Sequence, residues 1–206
     1  MLKSLIMGPD RQTEKVLTQT DLLKMYPFFG PLSLCLNSLR VAVNPNGKVG
    51  RRAIGSWEVP DRFCDDHFAD FDRLRDLKLL PGHFWVEALG QALGGLVAIR
   101  YPERFVRILP TFQKATVEYT EAAFPGDRVD LCVELTRTES RKGRMIMYGK
   151  GAIVFNERIL TRVTPIKALV LPLDVGMRAL QSLREKHRAE RDIPANFDNF
   201  PNYFRP

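Results

Sequence analysis

The spacing of apolar and polar positions changes character along this chain. From 82 to 99, Phe84, Trp85, Ala88, Leu89, Ala92, Leu93, Leu96, Val97 and Ile99 cover nearly all sides of a helix, the pattern of a helix buried in a core. Tyr101-Pro102 ends it. Ahead of that helix, 34–43 and 48–59 read as strands on either side of Asn44-Pro45-Asn46-Gly47, a strong turn signal. After it, 112–121, 128–137, 144–155 and 158–167 read as strands joined by Pro125-Gly126-Asp127, Glu139 to Gly143, and Asn156-Glu157. Near the start, Thr20 or Asp21 caps a short helix through Leu22, Leu23 and Met25, which must stop before Pro27. A late amphipathic helix over 175–188 shows Met177, Leu180 and Leu183 at helical spacing. One long apolar helix among at least six antiparallel strands predicts an α+β fold, a sheet wrapped around a helix.

The chain of 206 residues is long enough for one domain with a proper core, or one domain with extensions. Residues 1–17 are mixed and polar and read as an N-terminal extension; Met1 to Met7 are too briefly apolar for a secretory segment. The stretch 79–99 carries Pro81, His83, Glu87 and Gln91. One charge at a bilayer centre costs about 2.5–3.5 kcal/mol, so a buried helix of a soluble protein is expected, with no membrane span. Cys35, Cys64 and Cys132 are too few and scattered for a disulfide framework or a metal site, and a cytoplasmic setting is expected. The 31 Lys and Arg against 24 Asp and Glu leave a charge of +7, which favours an acidic partner. The basic stretches lack a recognised nucleic-acid module or interleaved aromatic platform, so nucleic acid is not the expected one.

Chemistry concentrates around the long helix. Between 79 and 99 there is no Lys or Arg to pair with Glu87. A carboxyl buried without a cation holds its proton and is suited to donating it; the alternative is a wet stripe of the helix. Gln91, one turn on, shares that face and can hydrogen-bond Glu87 or a ligand. Pro81-Gly82 opens the helix and leaves backbone N–H groups at the positive end of its dipole, where a carbonyl oxygen gaining charge can be held. Of three histidines, His187 lies on the late polar helix, His83 in the first helical turn, and His67 in the loop Asp65-Asp66-His67-Phe68.

The series Asp66-His67-Phe68, then Leu80-Pro81-Gly82, then Glu87-Ala88-Leu89-Gly90-Gln91 resembles the β-hydroxyacyl-acyl-carrier-protein dehydratases, whose motif runs His-Phe-Pro, Pro-Gly, Glu-Ala-x-Ala-Gln. The spacing from Pro81 to Glu87 to Gln91 matches without a gap. Leu22 to Phe28 resembles the family's opening helix and Tyr-Pro-Phe, and Pro125-Gly126-Asp127 its Pro-Gly-Asp turn, so the likeness covers roughly 18–168 and leaves 169–206 as a C-terminal helix and aromatic tail (Phe197, Phe200, Tyr203, Phe204). The link 69–80 is longer than the family's and carries its own charges.

The resemblance implies a hot-dog fold and a homodimer, possibly a higher assembly of dimers, with His67 of one subunit facing Glu87 of the other. It implies that His67 removes the α-proton of a 3-hydroxyacyl thioester, Glu87 protonates the departing hydroxyl, and the Gly82 N–H holds the thioester carbonyl, with Gln91 and His83 lining the substrate site. No metal or redox cofactor is implied; the substrate arrives on the phosphopantetheine of an acyl carrier protein. Arg141, Lys142 and Arg144, clustered about one turn, are the expected docking surface for that acidic partner. The rivals are a hot-dog thioesterase, in which a helix carboxylate activates water, and a non-catalytic acyl-binding or assembly protein.

Overall fold

The computed structural model describes residues 13–26, 33–65, 78–103, 108–141 and 144–189. Its elements in chain order are β1 (Thr13–Thr18), α1 (Gln19–Met25), β2 (Ser38–Val43), β3 (Val49–Glu58), α2 (His83–Arg100), β4 (Ile108–Tyr119), β5 (Arg128–Arg141), β6 (Arg144–Phe155), β7 (Arg158–Pro172) and α3 (Leu173–Ala189). The strands form one antiparallel sheet in the order β1-β2-β3-β5-β6-β7-β4. The α+β architecture expected from the sequence is the one found.

The sheet reaches beyond the span that the residue pattern marks out. β1 lies within the stretch read as an N-terminal extension and pairs with β2 from Thr13↔Val43 to Thr18↔Ser38. Its sequence hides it, because Leu17 alone is buried and the rest of this edge strand, Val16 included, is exposed. β7 continues to Pro172, past the expected end at 167, and β4 begins at Ile108. Thr18, rather than Thr20 or Asp21, caps α1: its hydroxyl faces the Asp21 N–H while the Asp21 carboxylate accepts from the Thr18 N–H, a reciprocal capping box.

α2 is buried on almost every side from Ala88 to Ile99. The sheet meets it closely where it has glycines. A Cβ on Gly151 would sit 2.8 Å from a methyl of Leu89, and one on Gly149 would sit 2.6 Å from a methyl of Leu93 and 2.9 Å from the Glu134 carbonyl oxygen. The leucine tip can turn away; the carbonyl is held in the ladder. Gly149→Ala is therefore expected to cost about 2 kcal/mol through overpacking. Urea unfolding checks this, and an unchanged midpoint would mean the layers are looser than drawn. At the other end of α2, the Arg100 guanidinium donates to the carbonyls of Val49 and Gly50 and ties the helix to the β2–β3 hairpin.

Contacts divide the chain after Leu173. Taken by itself, α3 exposes its side chains from Met177 to Glu185 and carries an Arg178–Asp174 pair at 3.0 Å. No helix among the described residues is long and apolar enough to cross a membrane.

Candidate active site

His83, Glu87 and Gln91 are four residues apart and form one stripe of α2. The stripe runs inward: His83 is exposed, Glu87 half-buried, and Gln91 only 1% exposed. Each end of the Gln91 amide is occupied. Its Oε1 accepts the Cys35 N–H at 2.7 Å, and its Nε2 donates to the Ser33 carbonyl at 3.2 Å and to Glu87 Oε1 at 2.9 Å. Those partners settle which way the amide faces, so Gln91 presents a donor to the carboxylate. Among the described residues no Lys or Arg forms an ion pair with Glu87. The two readings left open by the sequence meet here: Glu87 is neither sealed in apolar surroundings nor on a fully wet stripe, but is held by an amide at the border.

Two buried neighbours of Glu87 stay neutral. Tyr26 is fully buried on the far side and donates its hydroxyl to the Gln91 carbonyl at 2.6 Å. Burial, and next the charge of Glu87, holds its hydroxyl well above the usual tyrosine range. The same two causes, in the same order, push the Cys35 thiol up to about 12, so it is no nucleophile at neutral pH. A polar hollow of about 610 Å³ opens beside Leu34, Trp57 and Arg62, next to the segment that grips Gln91.

The first turn of α2 is pinned by aromatic rings. Phe63 stacks on Phe84 at 4.2 Å between centroids, Trp57 meets Trp85 edge-on at 6.0 Å, and the Arg62 guanidinium lies 4.7 Å from the Phe63 ring centre. His83 leans on Phe84 at 4.3 Å. Gly82 is the helix N-cap, and among the described residues nothing accepts from its N–H. Tyr119, at the end of β4, donates its hydroxyl to the Gly82 carbonyl at 3.1 Å, and its ring fills the place of a side chain, since a Cβ on Gly82 would fall 2.8 Å from it. In register with Tyr119 on β7 is Thr161, fully buried, whose Oγ1 has no partner among the described residues. Such a hydroxyl is one that a bound oxygen or a water would satisfy.

The structure thus brings Gly82, His83, Glu87 and Gln91 onto one helical segment and adds Ser33, Cys35, Tyr119 and Thr161, which sequence reasoning missed. These four lie far from α2 along the chain and belong to no motif. His67 and Lys142 lie outside the described residues, as does most of the 69–80 link; Lys78, at its end, pairs with Asp65 at 2.7 Å.

Of the residues expected to dock a carrier protein, Arg141 and Arg144 end β5 and begin β6. Arg141 and Arg144 are partners in the backbone register of β5 and β6, and Arg137 is engaged by Glu139 at 2.9 Å and by the Tyr148 ring. Arg144 lies seven residues along β6 from Gly151, the residue under Leu89, roughly 23 Å at strand rise. That end of the sheet is level with the C-terminus of α2, where Tyr101 meets Thr138 at 3.3 Å.

No protein-family model and no curated protein matches the chain. Solved structures do. The dehydratase heterocomplex ApeI:P from Xenorhabdus doucetiae is 18% identical, with 78% of this chain and 96% of that chain covered and a TM-score of 0.55. A variant of the fluoroacetyl-CoA thioesterase FlK in complex with fluoro-acetate is 18% identical over 68% of this chain and 98% of that one, with a TM-score of 0.53. Another FlK variant is 17% identical over 69% and 96%, with a TM-score of 0.51. At such identities the likeness is one of architecture, and the architecture of this chain is the hot-dog fold.

Proposed function

We propose that this protein is a hydro-lyase acting on 3-hydroxyacyl thioesters and forming the trans-2-enoyl thioester. The observation that carries the reading is the Glu87–Gln91 pair. A carboxyl group without a paired cation among the described residues, oriented by a clamped amide, lies one to two turns into a helix that opens at a glycine with an approachable N–H. Elimination of hydroxide needs a proton donor at the leaving oxygen, a base at the α-carbon and a donor for the thioester carbonyl. Glu87 supplies the first and the Gly82 N–H the third. The base is His67, on the strength of the motif. It takes the α-proton, the C–O bond breaks, and the oxygen leaves as water with the proton from Glu87. A substrate borne by an acyl carrier protein belongs to the same proposal.

The site is completed by a second copy. β4 pairs on one side only among the described strands, with β7, and most of its side chains from Thr111 to Tyr119 are exposed. An open edge of this length is a template for another strand. By the resemblance to the dehydratases, such edge-to-edge joining brings His67 of one subunit to Glu87 of the other. Mixing a His67→Ala protein with a Glu87→Gln protein should then restore part of the lost activity, and no recovery despite proven subunit exchange would refute shared sites.

The decisive test is to incubate the protein with a short trans-2-enoyl-acyl carrier protein and follow its mass, with Glu87→Gln as control. A gain of one water that vanishes in the variant supports the proposal. Loss of the acyl group as free acid would replace it with a thioesterase, the reading favoured by the likeness to FlK; an unchanged mass would leave a binding protein. Gly82→Ala probes the carbonyl-holding step. Its new methyl displaces the Tyr119 ring, so turnover should fall about 10- to 100-fold through misplacement while the thermal midpoint barely moves. An undiminished rate would remove Gly82 and Tyr119 from the site.

A further inference from the structure

The face of the sheet turned away from α2 carries a groove that the proposed reaction does not use. Its volume is about 440 Å³, within the range of small-molecule sites. Cross-strand register explains its shape. Ile54, Cys132, Ala152 and Arg162 are successive partners across β3, β5, β6 and β7, and Arg40 on β2 extends the row at the other end. The row has small side chains in the middle and arginines at its two ends. Their neighbours one residue along, Ala53, Val133, Gly151 and Val163, point to the opposite face, so the row belongs wholly to the outer surface.

The floor is apolar: Ile54 is 9% exposed, Val154 on the next row is 6% exposed, and Cys132 and Ala152 are half-buried. The rim is cationic. Arg52 and Lys150 share one carboxylate, Glu134, at 3.2 and 3.5 Å. Arg162 reaches Glu118 only at 3.7 Å and Arg40 reaches Glu14 only at 4.0 Å, both half-exposed pairs of the kind worth little in water. An apolar trough rimmed by exposed cations in weak pairs complements a molecule with an apolar chain and an anionic head.

We propose that this outer groove binds an anionic amphiphile, its chain lying over Ile54, Cys132 and Ala152 and its head group taken by Arg162 and Lys150. The span from Ile54 to Arg162 is three strand spacings, about 14 Å, which suits a chain of medium length. The site lies on the opposite face of the sheet from Glu87 and does not depend on the dehydratase reading. It gives the protein a second place to hold an acyl chain, as a free carboxylate or as a phosphate ester.

Calorimetric titration of the full chain below micelle formation tests this, with dodecanoate, dodecyl phosphate and dodecyltrimethylammonium as probes. The two anions should bind at one per chain and weaken with salt, and the cation should bind at least tenfold more weakly; the stronger of the two anions identifies the head group. Ala152→Trp, which fills the trough, and Arg162→Glu, which leaves the floor intact, should each weaken anion binding at least tenfold. Cys132 gives the location: bound dodecanoate should slow its alkylation, read by mass at that residue, whereas Cys35 and Cys64 are buried in any case. Binding that is indifferent to both variants and leaves Cys132 unprotected would place the amphiphile elsewhere and overturn the proposal. So would equal binding of the cation. Absence of binding together with a change of oligomeric state in Ala152→Trp would show instead that this face joins copies of the chain, and would overturn it too.

Discussion

Glu87→Gln should lower kcat for enoyl hydration by about 10³-fold, the scale of losing one proton-transfer group, and leave KM and the thermal midpoint close to wild type. The substitution keeps the size of the side chain, and its amide oxygen can still accept from Gln91 Nε2 where the carboxylate did. Only the carboxylate that takes a proton from water in the hydration direction is gone. Removing the negative charge has a second consequence with a definite sign. The Cys35 thiol is pushed up to about 12 by burial first and by Glu87 second, so in the variant it should titrate at lower pH while burial keeps it high. Thiolate absorbance, measured with Cys64 and Cys132 replaced by Ser, reads that shift. A full wild-type rate in Glu87→Gln would end the proposed mechanism; an unmoved thiol would mean that the side chain at 87 does not act on Cys35.

Gln91→Leu should be the most damaging single change to the site as a structure. The leucine fits the apolar surroundings, but it strands the Cys35 N–H, held at 2.7 Å, and takes one donor from the Ser33 carbonyl, which keeps the Cys35 thiol at 3.9 Å. Stranding such a group costs about 1–3 kcal/mol, so a loss of that size is expected, about 2–10 °C in Tm for a chain of this size. Turnover should fall as well, because Glu87 loses the donor that orients it. Gln91→Glu separates the two effects: it keeps an acceptor for the Cys35 N–H but offers the carboxylate no amide donor, so part of the stability should return while the rate stays low. Calorimetric melting and steady-state kinetics on both variants check this. Full activity in either one would reduce Gln91 to packing.

Much of this was legible beforehand for a physical reason. Burial on all sides writes itself into every position of a segment, so α2 and its bounds are clear within a residue or two. Turn chemistry does the same for the hairpins: Asn156 and Glu157 take positive φ between β6 and β7, and Gly47 and Gly126 do so where Gly was read as a turn. The polar stripe of Glu87 and Gln91 is a local property too, because helical spacing alone puts them together. Edge strands are different. β1 buries one side chain, so it leaves no alternation to read, and the pattern assigns it to an extension.

The sequence by itself determined the class of fold, the buried helix and the line of chemistry along it. These depend on spacings of four residues or fewer, which covalent geometry sets. The tertiary structure alone decided what surrounds that line. The Gln91 amide faces Glu87 because Ser33 and Cys35, more than fifty residues earlier, occupy its other valences. Gly82 must be glycine because Tyr119, 37 residues later, fills the space. The arginines of the outer groove align in one row, because strand order and register are global properties that no local pattern encodes.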